Sequence, residues 1–528
     1  MYHGAAPFLA STALLGICAA HPLRPRQTEL QWGPCEFDFN ATIPVECSTL
    51  DVPLDWTKED SSESLELELL RVKASKQPTL GSVIFNPGGP SALGTRYVAE
   101  QHTSMNRVLE GHYDLVGFDI RGTGRTIPFA CNTTAMLESN MKRDLDLPQR
   151  DMVEWLENEG WQNAQVFADQ CYKDNEKTGS YISTAFIARD MLAIVHALQE
   201  DDLLRFWGAS WGSILGQTFA SMFPDKVDRM FIESVMDPTD YMSGFWTHNM
   251  LDTDNSLDNF FKECLATPEL CTLANITESA TVSSLRSGLS KVLSELYSTQ
   301  ETVELGYHAQ PLYTALTPVT RYEDLKNRIF NALYYVSRFP ELDSVLTAAI
   351  TRNFSAIEPP DVSPPVDRQE IMAQAGAHSL FGISCLDGTV RAAEAREIYS
   401  YVEEQQASST LADGYMPLMW ACPAWRLEPA ERYTGPFTAR TKSPILFANG
   451  LADPITPMAY ARKVHEAWEG SGLLIHGGHG HGVDNHPSTC TDQVIRAYFI
   501  NGTIPEDGTL CEPNQSAFQQ AYEYLKEA

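Results

Sequence analysis

Basic residues are scarce in this chain. Only 38 Lys and Arg stand against 69 Asp and Glu over 528 residues, a formal net charge of −31 and an isoelectric point near 4.7. No run of Lys or Arg reverses that sign locally, so the chain lacks the cationic patch that nucleic-acid binding needs. A cationic ligand such as a peptide amine is mildly attracted; equally, the acidity keeps a protein soluble. Long apolar runs are missing too. After the N-terminal segment no stretch reaches transmembrane length, and there is no internal repeat or long low-complexity tract. What remains is 43% hydrophobic and 20% charged, a globular profile. The length suits a large catalytic domain with an inserted or second one.

The N-terminus stands apart. Residues 5–19, APFLASTALLGICAA, are an uncharged apolar run followed by HPLRPRQ. The run is short for a bilayer, and Cys18-Ala19-Ala20 offers small residues for cleavage. Residues 1–20 are therefore read as a secretory signal peptide of a secreted, extracellular protein, although MYHG carries no Lys or Arg; a membrane anchor is the alternative. Removing Cys18 from the 11 cysteines leaves ten, an even number that fits an oxidising compartment. Sequence does not fix connectivity; pairing neighbours gives Cys35–Cys47, Cys131–Cys171, Cys264–Cys271, Cys385–Cys422 and Cys490–Cys511. Candidate N-glycosylation sequons begin at Asn40, Asn132, Asn275, Asn353, Asn501 and Asn514, and they matter if the chain enters a glycosylating pathway.

Strand and helix patterns alternate in the first half. Residues 64–72 alternate apolar and polar, and 81–86 form an apolar strand entering the turn-rich PGGPSALG. A strand runs into a glycine loop over 113–126, a helix follows at 183–199, then a strand at 203–208, a helix at 213–223 and a strand at 227–235. The rhythm stops between about 238 and 437, where helix and loop dominate, and resumes at 444–450, 457–468, 472–478 and 491–500. This predicts an α/β fold, a mostly parallel sheet covered by helices. The catalytic domain spans 21–237 and 438–528, and 238–437 is a large, mainly helical lid insertion. A separate second domain is the alternative, and the return of the strands speaks against it.

Between the strand at 203–208 and the helix at 213–223 lies Gly208-Ala209-Ser210-Trp211-Gly212, a G-x-S-x-G. The pattern alone is weak; its place between strand and helix is what a nucleophile elbow requires. Ser210 is the predicted nucleophile, against the plainer reading of a helix N-cap serine. The Trp211 amide supplies one oxyanion donor. The loop NPGGPS (86–91) supplies another, Gly89 ahead of Gly88. The base and its orienting acid should follow in the order Asp, His. Asp453, in a loop after a strand, is the candidate acid, with Asp237 as competitor. Four histidines cluster at 476, 479, 481 and 486; His481, between two glycines in an exposed loop, suits the base. A metal site there is unlike the pattern, because no Cys or carboxylate set completes the ligands. Arg121 is expected to hold its loop through an ion pair.

Five ordered motifs carry a resemblance: NPGGP (86–90), DLVGFDIRGTGRT (114–126), WGASWGS (207–213), FANGLADPITP (447–457) and GHGHG (478–482). With WGPCEF…VECSTLDVPLDW (32–56) and the segment 487–511, they span nearly the whole mature chain. The sequence resembles the proline iminopeptidase and tripeptidyl aminopeptidase branch of the α/β-hydrolases. That resemblance implies the α/β-hydrolase fold, Ser210, Asp453 and His481 as the triad, and Gly89 and Trp211 as oxyanion amides. It implies a small peptide or acyl substrate; no cofactor is expected, since serine, base and backbone amides complete the chemistry. It also implies recognition of a free α-amino group by acidic residues, for which Glu233 and Asp237 are candidates. Two positions depart from the family: Pro90-Ser91 stands where Pro-Gly is usual, and His479 where an aromatic or other residue is common. The activity expected is that of a secreted aminopeptidase working through an acyl-enzyme. An esterase or metabolite-tailoring hydrolase with the same triad is the alternative, and a catalytically silent binding protein is disfavoured by the intact residue set. None of these motifs bears on oligomeric state.

Overall fold

A computed structural model of the chain describes residues 29–39, 41–58, 62–131, 150–299, 302–303, 319–356 and 378–527. The signal segment 1–20, Asn40 and Asn132 lie outside them. In chain order the strands are Glu46–Pro53 (β1), Ser64–Val72 (β2), Ser82–Asn86 (β3), Asp114–Phe118 (β4), Leu204–Ala209 (β5) and Val227–Glu233 (β6). After the two-residue ribbon Thr302–Val303 (β7) and Val319–Thr320 (β8) come Ile445–Gly450 (β9), Gly472–His476 (β10) and Thr509–Cys511 (β11). Among the described residues, all but the ribbon form one nine-stranded sheet in the order β1-β2-β4-β3-β5-β6-β9-β10-β11. Only β1 with β2 and β2 with β4 pair antiparallel; every other pairing in the sheet is parallel.

The central strands carry short apolar runs, such as Val83-Ile84-Phe85 and Ile445-Leu446-Phe447-Ala448, because both faces are covered. Successive side chains go to opposite faces. Ile84, Phe206, Ile232, Phe447 and Leu473 join Ile187, Met191, Ile214 and Phe219 from the helices Thr184–Ala197 and Trp211–Met222. Their neighbours Phe85, Trp207, Phe231, Leu446 and Leu474 pack instead on Val98, Met105, Ile495 and Phe499, from the helices Gly94–Leu109 and Thr489–Asn501. Two of these helices have serine caps: the Ser183 hydroxyl accepts the Phe186 amide, and the Ser488 hydroxyl accepts the Thr491 amide.

Between β6 and β9 the described chain is mainly helical. Its apolar core gathers Phe260, Leu289, Ile329, Phe339 and Leu346, and it also recruits Met152, Leu156 and Trp161 from before β5 and Ala517 and Phe518 from the C-terminal helix. In return Phe381, Ile383 and Met419 pack into the core of the sheet. The helical body is thus built from more of the chain than 238–437. All five neighbouring cysteine pairs are bonded as disulfides. Asn275, Asn353, Asn501 and Asn514 are exposed.

Candidate active site

Ser210 terminates β5 and starts the helix Trp211–Met222. Its backbone sits at φ 57°, ψ −124°, and its side chain makes no capping hydrogen bond. This separates it from an N-cap serine. A non-glycine residue held there costs on the order of 1–3 kcal/mol, and such strain collects at functional sites. Close packing forces the turn. A Cβ on Gly212 would lie 2.6 Å from the Asn86 carbonyl oxygen, and one on Gly208 would collide with the Phe206 ring. The Ser210 amide donates to the Glu233 carbonyl at 3.1 Å, which locks the elbow to β6.

The loop after β3 lies against that elbow. A Cβ on Gly88 (φ 90°) would approach the Ser210 Cβ and the Trp211 nitrogen, each to 2.9 Å. The Gly88 amide already donates to Asn86 Oδ1 at 3.0 Å, so the Gly89 amide is the better oxyanion donor of the two. The Trp211 amide opens a helix, where no intrahelical acceptor is available. The Trp211 indole N–H donates to the Tyr241 hydroxyl at 2.8 Å, and that hydroxyl donates to Asp387 at 2.8 Å. The helical body thereby grips the elbow.

Asp453 is wholly buried. Both its oxygens lie 2.9 Å from His481 Nδ1. Oδ1 also accepts the Ile455 and Thr456 amides at 3.0 and 2.9 Å, and Oδ2 accepts the Ser234 hydroxyl at 2.9 Å. Burial alone would raise the Asp453 pKa, but the charge and hydrogen bond of His481 and the two amides hold it below its ordinary 3.8. For His481, burial pulls downward, and the Asp453 charge and hydrogen bond outweigh it, so its pKa lies above 6.5. The sequence places this histidine in an exposed loop; the structure covers it. Its side chain is 13% exposed, its amide donates to the Tyr334 carbonyl at 2.8 Å, and the Tyr334 ring stands edge-on at 5.0 Å.

Ser210, Gly89, Glu233 and His481 line one cavity of about 1160 Å³, whose wall also includes Trp155, Trp246, Asn327, Tyr334 and Trp420. Glu233 is there, but both its oxygens are engaged: Oε1 by the Trp207 indole N–H and Oε2 by the Val483 amide, each at 2.6 Å. Asp237 is not among the lining residues. It caps the helix Pro238–Ser243 and pairs with Lys463 at 2.5 Å, so neither amine binding at this cavity nor the acid of His481 falls to it.

The other histidines have separate duties. His476 Nδ1 bonds Thr491 at 3.0 Å, His479 Nε2 meets Glu263 at 3.2 Å, and His486 Nε2 donates to the Gln515 carbonyl at 2.8 Å. His479 stacks on His486, not on His481. The metal-like group among the described residues, Cys264, Cys271 and Asp343, has its thiols tied in a disulfide. Arg121 is fully buried and forms a two-pronged pair with Asp190 at 2.6 and 2.8 Å, a structural tie as expected. Sequence reading missed Ser234 and Thr456, which fix Asp453. The only available signal was their position, one residue past β6 and three past the acid.

A family model for the alpha/beta hydrolase fold matches residues 81–346, and one for TAP-like protein matches residues 409–511. The chain belongs to the α/β-hydrolase fold family. Among curated proteins it is similar to a tripeptidyl aminopeptidase of Streptomyces coelicolor, with 24% identity over 93% of this chain and 87% of that protein. It is 25% identical to serine protease Hip1 of Mycobacterium tuberculosis, covering 91% of each, and 25% identical to carboxylesterase B of the same organism, covering 91% of this chain and 90% of that one.

Proposed function

We propose that this chain is a secreted serine aminopeptidase that cleaves short peptides from their free amino end. The reading rests on one observation: Ser210, on a strained elbow, shares a cavity wall with His481, which Asp453 holds. In this reading neutral His481 takes the Ser210 hydroxyl proton as the oxygen attacks the scissile carbonyl. The Gly89 and Trp211 amides carry the oxyanion. His481 then protonates the leaving amine, and water releases the acyl group by the same route in reverse. Apart from substrate and water, the proposed steps draw on protein groups.

Peptide specificity is supported by the similarity to tripeptidyl aminopeptidase and serine protease Hip1 over most of the chain. The helical body, to which the described part of 238–437 contributes together with 152–161 and the C-terminal helix, serves as the lid over the cavity, and Glu159, Glu233 and Asp484 on its wall make it attractive to an ammonium group. Five disulfides and the apolar segment 5–19 support export, after which the exposed sequons would be available for glycosylation. Among the described residues no helix is long and apolar enough to cross a membrane.

The test is a panel of aminoacyl- to tripeptidyl-arylamides with free and acetylated N-termini. Free-amine substrates should be turned over and blocked ones should not; equal rates would overturn amine recognition. The similarity to carboxylesterase B favours a second reading, an esterase with the same triad. Turnover of short acyl esters with no amide cleavage would select it.

A further inference from the structure

The end of β6 touches all three candidate triad elements. The Glu233 carbonyl accepts the Ser210 amide, the Ser234 hydroxyl donates to Asp453, and the Glu233 carboxylate accepts the Val483 amide, two residues beyond His481. Glu233 is only 2% exposed. Across Gly482 from it lies a second carboxylate: a Cβ on Gly482 would stand 3.6 Å from Glu233 Oε2 and 3.2 Å from Asp484 Oδ1. Both residues line the cavity, and among the described residues neither forms an ion pair with Lys or Arg. Arg107, which does act on Asp484, is held by Asp492 at 2.8 Å.

We propose that Glu233 is a positioning residue for the His481 segment, and that Glu233 and Asp484 divide one proton between them beside that histidine. A buried carboxylate and a part-buried one that both reach within 3.6 Å of the same point beside Gly482 cannot both carry charge cheaply. One keeps the charge and the other the proton, and the pair titrates as a unit. The field at Glu233 agrees: burial first, then Asp484, pushes its pKa up to about 7. The groups acting on His481 are then Asp453, Glu233 and Asp484, with the Tyr334 ring against it from the helical body. Tyr97, on which both carboxylates and Tyr335 act, stays neutral because burial and the negative charges raise its pKa.

This inference rests on His481 being the base, and its test separates the two. The experiment follows kcat and KM for a cleaved arylamide from pH 4.5 to 9 in wild type, Glu233→Gln, Asp484→Asn and the double variant. Each single variant should move the acid limb little, because the remaining carboxylate takes up the charge. The double variant should move it down by about one pH unit, more than the two single shifts added, because the imidazolium loses a neighbouring anion. Glu233→Gln also turns one of its two acceptors into a donor facing an N–H. It should lower kcat about ten- to a hundredfold with KM nearly unchanged, and Glu233→Asp should recover part of that. Titration of the His481 ring signal by NMR in the inactive Ser210→Ala background gives the same shifts without turnover. Additive single shifts, or an unmoved limb in the double variant, would overturn proton sharing, and an unchanged kcat in Glu233→Gln would overturn positioning. If His481→Ala retained turnover, the triad reading itself would fall.

Discussion

The rim of the sheet and the helical body above it solve different problems. At the rim, backbone passes backbone so closely that glycine is required at 88 and 212, Ser210 sits at positive φ, and every oxygen of Asp453 has a donor. The body is held by ring packing, such as Phe260 on Phe339 and Trp155 on Trp420, and by a buried ion pair between Lys326 and Asp413. It meets the chemistry through few contacts, chiefly Tyr334 on His481 and Tyr241 under Trp211. Rim substitutions should therefore remove chemistry while the protein stays folded. Body substitutions should cost stability and change which substrates fit.

The strongest test of that contrast is Ser210→Ala. In the proposed mechanism it lowers kcat by about a millionfold and abolishes fluorophosphonate labelling, with thermal unfolding nearly unchanged because the side chain makes no capping bond to lose. In the body, Lys326→Met takes the ammonium away from the Asp413 carboxylate, with both side chains only 1% exposed, and leaves it the Tyr322 hydroxyl and the Arg150 amide as donors. Unfolding in denaturant should show about 3–5 kcal/mol lost, while hydrolysis of a small acyl ester at low temperature persists. Gly88→Ala should displace the oxyanion loop from the elbow, lowering kcat by about 10²–10³ with a small change in KM. If Lys326→Met instead silenced the ester reaction at full folding, the division between rim and body would fail.

Two smaller effects sharpen it through pH. His476 and His486 are buried, which holds each near pKa 4 against 6.5 in an open chain. At these two sites the unfolded chain binds more protons than the native one below about pH 6.5, opposite in sign to the buried Glu233, Asp119 and Asp387, whose raised pKa values favour proton uptake by the native state. The stability that the two neutral histidines contribute is therefore present above that pH and lost between about 6.5 and 4. Melting temperatures of wild type and His486→Asn across this window isolate it: wild type should lose stability relative to the variant as the pH falls. His481 moves the other way: its pKa above 6.5 places the acid limb of kcat/KM above that value, measured with a neutral substrate, since only neutral imidazole accepts the serine proton.

The strands were readable because burial on both faces writes itself as short apolar runs, as in Val83-Ile84-Phe85 of β3 and Ile445-Leu446-Phe447-Ala448 of β9. The G-x-S-x-G gained its meaning from the strand before it and the helix after it. The helix Gly94–Leu109 was hidden behind a turn-rich start, and the three-residue β11 is too short to carry a period. Asp237 and Glu233 looked alike in sequence, two acids where the sheet meets the insertion. Folding sends one to cap a helix and the other to the cavity wall.

The sequence by itself determined the α/β alternation, the elbow and its candidate serine, because each depends on local spacing and backbone conformation, and it named Asp453 and His481 as candidates for the acid and base. Cysteine neighbours along the chain also proved to be neighbours in space. Only the tertiary structure decided which amide of the 86–91 loop is left for an oxyanion, which acid His481 meets, and that Glu233 faces Asp484 across Gly482. Those facts are set by contacts between segments far apart in the chain, where burial and charge act through distance in space and leave no trace in local spacing.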